Sequence, residues 1–311
     1  MLTLIIPVFR NEHSIQELVE TIASLAKTIP DEFEAVFVDD GSPDRSRESL
    51  ARLLPNAGFR ARIVSLSRNY GSFAAVRAGL ASGSGDYFAV MAADLQEPPS
   101  LVIAFFDVLR SGSYDVVVGT RDRRADGFSS RVTSRLFWRL YRWLVRPDVP
   151  PGGVDVFGCT RAFRDHILKL SESNSTVVGL IFWLGFRRTE VKYSRLPRRH
   201  GASGWSFARK VRYLLDSTFA FSDLPIRLLS LVGLIGMSAA IVLGVAVLAA
   251  KINGQVDVPG YTATVLVVMF FGGLNSFGIG ILGEYLWRTF ENTKRRPEYV
   301  VARVDEYGPQ R

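Results

Sequence analysis

Two long runs without an ionisable side chain constrain this chain more than any other feature. Leu228–Ala250 and Tyr261–Gly283 each hold 23 residues with no Asp, Glu, Lys, Arg or His. At ~1.5 Å per residue a helix of that length reaches ~34 Å, enough to cross a hydrocarbon core of ~30 Å. Glycines recur through both runs (Gly233, Gly236, Gly244; Gly272, Gly273, Gly278, Gly280), and membrane helices tolerate these better than soluble helices do. Two transmembrane helices are therefore expected. Arg209, Lys210, Arg212 and Arg227 precede the first run, Arg288, Lys294, Arg295 and Arg296 follow the second, and only Lys251 is basic between them. The cytoplasmic bias of Lys and Arg puts both termini inside and the loop Lys251–Gly260 outside. This is the pattern of a multi-pass inner (cytoplasmic) membrane protein with a cytoplasmic N-terminal domain. Met1-Leu2-Thr3 carries no basic n-region, so no signal peptide is expected.

The first 227 residues hold 31 of the 38 basic and 24 of the 30 acidic side chains. A positive domain tied to a membrane suits anionic headgroups or phosphates. Nucleic acid is not the expected partner, because no helix-turn-helix, zinc-finger or RNA-binding signature accompanies the charge. The single cysteine, Cys159, excludes a disulfide framework and any multi-cysteine metal site.

Apolar runs alternate with helical stretches along this domain. Strands are expected at Leu2–Val8, Phe33–Val38, Arg62–Ser67, Tyr87–Ala92 and Asp115–Val118. Helices are expected at Ser14–Lys27, Asp44–Leu54, Ser72–Ala81 and Pro99–Arg110, the first opened by a capping box of Ser14 and Glu17. This order predicts an α/β fold, a mainly parallel Rossmann-like sheet with helices on both faces. Ligands of such sheets bind beyond the carboxyl ends of the strands. The residues there are Pro7-Val8-Phe9-Arg10-Asn11-Glu12, Asp39-Asp40-Gly41-Ser42, Ser67-Arg68-Asn69-Tyr70-Gly71, Asp94-Leu95-Gln96-Glu97-Pro98-Pro99 and Gly119-Thr120-Arg121. Neither glycine-rich phosphate cradle is present, G-x-x-x-x-G-K-[ST] or G-x-G-x-x-G after the first strand. A bound diphosphate would need a different counter-charge. Asp94, with the carboxamide of Gln96, is suited to a divalent cation such as Mg²⁺ or Mn²⁺, which takes few protein carboxylates and completes its shell with phosphate oxygens.

Taken together, the strand-end motifs and Val118-Gly119-Thr120-Arg121 resemble the family 2 glycosyltransferases of the GT-A fold. The closer resemblance is to the branch that moves a sugar from a nucleotide onto a polyprenyl phosphate, such as dolichyl-phosphate mannose synthases and undecaprenyl-phosphate glucosyltransferases. Arg198-Arg199-His200-Gly201-Ala202-Ser203 resembles that branch's arginine-rich segment before the membrane. The resemblance implies that Pro7, Phe9 and Glu12 line the base pocket, with Asp39 and Asp40 toward base or ribose. It implies that Asp94 and Gln96 hold the metal, that Arg121 faces a phosphate, that Asp155 lies near the reacting sugar, and that Arg198 and Ser203 contact the acceptor phosphate. Asp39 stays open between touching the nucleotide and orienting the Asp40 loop. Two departures stand out. Ala92 occupies the first position of the D-x-D metal motif, and Arg10 is inserted between Phe9 and Asn11-Glu12. Asp155 remains open between proton acceptor and shaping of the site.

Arg131, Arg135, Arg139, Arg142 and Arg146 recur at helical spacing among Phe137, Trp138, Leu140, Tyr141 and Trp143. This stripe is expected at the bilayer interface, with Arg131 and Arg135 toward a lipid phosphate, or else docked on the domain with its basic face solvated. The expected organisation is a catalytic domain over 1–206, a juxtamembrane amphipathic segment over 207–227, the two spans within 228–287, and a cytoplasmic tail over 288–311. The expected activity is inverting transfer of a hexose, glucose favoured, from a nucleotide sugar (UDP-glucose, with GDP-mannose as alternative) to polyprenyl phosphate for surface glycan or lipopolysaccharide modification. A glycolipid synthase with a hydroxyl acceptor and a non-catalytic membrane scaffold are the rival readings, and the resemblance is compatible with a homo-oligomer.

Overall fold

The structure is a computed structural model that describes residues 1–123, 137–151, 153–172, 175–197, 207–253 and 260–308. Its centre is an eight-stranded sheet in the order β7-β5-β6-β4-β1-β2-β3-β8. The strands β1 (Leu2–Val8), β2 (Phe33–Asp39), β3 (Arg60–Leu66) and β4 (Tyr87–Val90) are parallel to one another. β1 and β2 are apolar runs buried on both faces, as central parallel strands must be when helices cover both sides. β5 (Val116–Arg123) and β7 (Arg188–Ser194) run parallel to each other, while β6 (Val156–Thr160) runs antiparallel between β4 and β5.

One core layer packs α1 (Ile15–Thr28), α2 (Ser46–Leu53) and α4 (Pro99–Arg110) on the sheet through residues such as Leu18, Ile22, Phe105 and Phe106. The other is built on α3 (Ser72–Ser82), α5 (137–144), α6 (Arg161–Ile167) and α7 (Val177–Trp183). The small residues of α3 bring it close to β1 and β2. The capping box does not form: the Ser14 hydroxyl donates instead to the carbonyls of Asn11 and Ala93, each at 3.1 Å, tying the start of α1 to the loop after β4.

α5 carries Arg139 and Arg142 of the arginine stripe. Tyr141 and Val145 are buried in the second core layer, so the helix docks on the domain, while Leu140 and Trp143 remain exposed on its outer side. Arg131 and Arg135 lie outside the described residues, as do Arg198 and Ser203.

Three further helices follow β7: α8 (Phe207–Phe221), α9 (Leu224–Ile252) and α10 (Tyr261–Thr293). α8 buries Tyr213 and Ser217, one turn apart, and Tyr213 stacks on Tyr141 with ring centroids 5.8 Å apart. α9 and α10 include the candidate spans Leu224–Ala246 and Val267–Thr293. Their apolar side chains, among them Val242, Val268 and Phe277, face outward and unburied. A surface this apolar requires lipid or protein to cover it. The C-terminal segment, expected as a tail, folds back as β8 (Val301–Tyr307) and pairs antiparallel with β3.

Candidate active site

The parallel strands end on one edge, and the loops there are stitched together. At the end of β2, Asp39 accepts a hydrogen bond from Ser42 N at 3.1 Å. Asp40 is 2% exposed and engages both carboxylate oxygens, from Tyr70 N at 2.7 Å and Gly71 N at 2.8 Å. Burial raises the pKa of both carboxyls, and the hydrogen bonds oppose it. Asp40 thus holds the loop after β3 in place. Gly41 permits the contact: it sits at φ +63°, and a Cβ there would lie 2.6 Å from the Arg68 carbonyl carbon.

After β1, Phe9 is 39% exposed with the Arg10 guanidinium 5.3 Å from its ring centre. The inserted Arg10 is absorbed by a left-handed residue at φ +57°, and its N–H donates to Ser42 Oγ at 3.2 Å. Glu12 accepts from Arg45 N at 3.3 Å and donates its own N–H to Asp44 at 3.1 Å. Pro7, Phe9 and Glu12 therefore sit at or just beyond the end of β1, but Glu12 spends a carboxylate oxygen on the backbone of the neighbouring loop.

The loop after β4 carries the candidate metal residues. Leu95 is left-handed at φ +53°, a strained conformation of the kind concentrated at functional sites. It turns the chain so that Asp94 Oδ1 accepts from Gln96 N at 3.4 Å. The Gln96 side-chain oxygen accepts from Arg195, and its Nε2 donates to the Leu196 carbonyl at 3.3 Å. A cation at Gln96 would share that oxygen with an arginine. Glu97, 2% exposed, accepts from Ala92 N at 3.3 Å. Burial, then the charges of Asp94 and Asp155, push its pKa up to about 7.

Arg121 and Asp155 meet as a bidentate pair across β5 and the start of β6, and Tyr193 donates to Asp155 Oδ2 at 2.9 Å. Burial and the neighbouring Asp155 carboxylate raise the Tyr193 pKa well above its ordinary value. Ahead of Asp155, Gly153 at φ +76° lies under Trp138: a Cβ would come within 2.0 Å of its indole ring. α5 is thereby seated on the loop that presents Asp155.

Sequence reasoning singled out neither Glu97, Tyr193 nor Arg195 as site residues. The signal for the last two was the alternation Thr189, Val191, Tyr193 against Arg188, Glu190, Lys192, an edge strand that ends at Ser194, one residue before Arg195. Arg195 Nε is buried without a hydrogen-bond partner among the described residues.

The donor set fits one kind of cation site. Among the described residues no three His, Cys, Asp or Glu side chains group as metal ligands. A cation here would rest on Asp94 and on oxygens brought by a phosphorylated ligand, the coordination habit of Mg²⁺ and Mn²⁺.

Several known proteins are similar to this chain in sequence. Sequences of similar length include the uncharacterized glycosyltransferase sll0501 of Synechocystis, 30% identical over 97% of this chain and 94% of that protein. They include the prophage bactoprenol glucosyl transferase homolog of Escherichia coli K12, 29% identical over 97% and 99%. The SfII prophage-derived bactoprenol glucosyl transferase of Shigella flexneri is 29% identical over 99% of both chains. Among solved structures, glucosyl-3-phosphoglycerate synthase from Mycobacterium tuberculosis, in complex with Mn²⁺, UDP and phosphoglyceric acid, aligns at TM-score 0.47 and 18% identity, over 65% of this chain and 72% of that one. The family model described as "Glycosyl transferase family 2" matches residues 3–170, which takes in every strand end from β1 to β6, and the chain belongs to that family.

Proposed function

We propose that this protein is a membrane-bound inverting glycosyltransferase that moves glucose from UDP-glucose to a polyprenyl phosphate at the cytoplasmic membrane face, for modification of a surface glycan. The observation that carries the lipid acceptor is topological. The last strand before the apolar helices ends at Ser194, which pairs with Arg123 at the carboxyl end of β5, and α8 follows, docked on the domain. The chain returns at Val301, which pairs with Leu66 at the carboxyl end of β3. The end of β7 and the start of β8 therefore join the same edge that carries Asp40, Asp94, Arg121 and Asp155. Seven residues separate α10 from β8, at most ~25 Å of extended chain. The bactoprenol glucosyl transferase names of near full-length relatives support glucose and a polyprenyl acceptor. An open groove of about 800 Å³ between α8 and α10, lined by Leu215, Phe219 and Phe277 together with Arg212 and Arg288, suits an isoprenoid chain. Arg131, Arg135, Arg198 and Ser203 remain the proposed acceptor-phosphate contacts.

In this reading an oxygen of the acceptor phosphate attacks the anomeric carbon as the bond to the UDP oxygen breaks, so one displacement inverts the centre. Leaving-group charge is the main demand, and preorganised cations meet it. Asp94 would hold a divalent metal, which would supply charge neutralisation at the diphosphate. Arg121, fixed by Asp155 and Tyr193, presents a cation at the strand edge. An ionised phosphate needs no strong base, and a carboxylate already gripped by a guanidinium and a phenol serves better to aim Arg121 than to accept a proton.

The test uses full-length protein in detergent with undecaprenyl phosphate, Mg²⁺ or Mn²⁺ and a panel of nucleotide sugars. Mass spectrometry of the lipid fraction should find a glucosyl phosphate lipid with UDP-glucose. Nucleotide release without any lipid adduct would refute the acceptor.

A further inference from the structure

The segment that leaves α10 is fastened to the catalytic domain before β8 begins. Glu298 lies 2.6 Å from Arg77 Nε, with the two side chains 19% and 8% exposed. Tyr299 packs against the α3-side core, and the Val300 carbonyl accepts from Ser67 N at 2.9 Å. β8 then follows, braced by Arg47–Asp305 at 2.8 Å and Arg62–Glu306 at 2.9 Å.

Arg77 is the hub. It projects from α3, and its guanidinium donates to the Ile167 carbonyl at 3.1 Å and also reaches the carbonyls of Leu168 and Leu170. One buried cation therefore joins α3, the turn after α6 and the strap from the membrane. Carbonyls solvate a guanidinium but do not neutralise it, and a buried charge needs a counter-charge. Here that charge comes from the strap, not from the domain's own helices. The same helix α3 begins at Gly71 and Ser72, beside the backbone amides that hold Asp40.

We propose that the Arg77–Glu298 pair is a positioning device that sets the height of the catalytic edge over the bilayer, an inference that rests on the lipid-acceptor reading above. With Glu298 held, only residues 294–297 bridge the end of α10 and the first fixed point, ~14 Å at full extension. With Glu298 released, Tyr299 becomes the first fixed point and the bridge lengthens to residues 294–298, ~18 Å. That slack lets the domain tilt about its other tie to α10, made through α8 and the Asp216–Arg288 pair at 2.8 Å, relative to an acceptor confined to the membrane plane. It does not move the donor loops, whose bonds to Asp40 do not involve Glu298.

The experiment compares two acceptors on the full-length protein in anionic phospholipid nanodiscs: undecaprenyl phosphate embedded in the bilayer, and a short water-soluble prenyl phosphate. Glu298→Gln should lower kcat/KM for the embedded acceptor by roughly 10- to 100-fold, the scale of a small misplacement of reactants, while the short acceptor and the donor KM stay at wild-type values. A second variant with four Gly/Ser residues inserted between Arg296 and Pro297 keeps the ion pair and lengthens the strap. It should show the same selective loss, and it carries the test if Glu298→Gln folds poorly. Equal loss on both acceptors, or no loss on either, overturns the proposal. Wild-type protein inactive on both prenyl phosphates refutes the acceptor reading and the device with it, whereas an active wild type beside an unaffected variant refutes the device alone.

Discussion

The Arg121–Asp155 pair makes the sharpest prediction about chemistry, because its two partners are open to two incompatible accounts. In one, Asp155 works through Arg121; in the other it accepts a proton. The side chains are 14% and 24% exposed, so the pair is mostly but not fully desolvated. Removing one partner of a fully buried pair costs about 3–5 kcal/mol, and partial exposure brings this nearer to 2–3 kcal/mol. Arg121→Gln removes a cation aimed at developing negative charge and should lower kcat ~100- to 1,000-fold. Asp155→Asn keeps one acceptor oxygen for the guanidinium but loses the charge and the second bond. It should lower kcat ~10- to 100-fold through a mis-aimed Arg121.

The double variant discriminates. If Asp155 acts through Arg121, nothing remains for it to position once Arg121 is gone. The double variant then falls within ~3-fold of Arg121→Gln alone, a coupling energy of about 1.4–2.7 kcal/mol. If Asp155 has its own chemical role, the losses multiply, to ~1,000- to 100,000-fold. Lipid-linked glucose from UDP-glucose and undecaprenyl phosphate, quantified by mass spectrometry under saturating substrates, is the readout. Thermal melts of each variant guard against simple unfolding. Multiplicative losses would refute the positioning account and revive a hydroxyl acceptor, which does need a base.

Other outcomes follow from single contacts. Asp94→Asn should abolish transfer while leaving membrane insertion intact, and near-normal turnover would remove Asp94 from the metal assignment. Excess chelator should stop donor-dependent release of UDP and Mg²⁺ or Mn²⁺ should restore it; turnover in chelator refutes metal use. Asp40→Asn turns an amide NH₂ toward a backbone N–H that now meets an oxygen, so melting should register a loss of about 1–3 kcal/mol. Gly41→Ala faces a left-handed backbone and the Arg68 carbonyl carbon. It should cost a further 1–3 kcal/mol or so, and an unchanged melt would mean that the two loops separate freely.

What the sequence made legible divides along a physical line. β1, β2, α1 and α4 announce themselves through local periodicity, because burial on one helical face or on both strand faces leaves a pattern within a dozen residues. The strand-end loops are legible for a related reason: charged and turn-forming residues interrupt apolar runs only where the chain leaves the sheet. β7 and β8 are edge strands, half exposed and rich in Arg, Glu, Lys and Asp, so their apolar signal is diluted and they read as loop or tail. The partners they supply are hidden for the same reason. Tyr193 reaches Asp155 and Arg195 reaches Gln96 across about 40 and 100 residues of sequence, and no local pattern encodes a pairing of that range. Ser14 does not cap α1 because its own backbone is helical at φ −104°, ψ −10°, and its hydroxyl turns to the carbonyl of Ala93, 79 residues away.

The edge strands also explain how a soluble-looking sheet becomes a membrane enzyme's domain. A parallel α/β unit collects its ligand-facing loops on one edge, whatever follows it in the chain. Any membrane hairpin could have been appended anywhere on its surface. Here α8 and the two long apolar helices lie between β7 and β8, and parallel pairing of the first strand with β5 and antiparallel pairing of the second with β3 put the end of β7 and the start of β8 on the carboxyl edge. Had β8 run parallel to β3, the strap from α10 would have to reach the opposite edge, roughly 20 Å further for a seven-residue strand, more than four free residues can span. The antiparallel pairing of a single C-terminal strand therefore keeps Asp94, Arg121 and Asp155 beside the membrane connections.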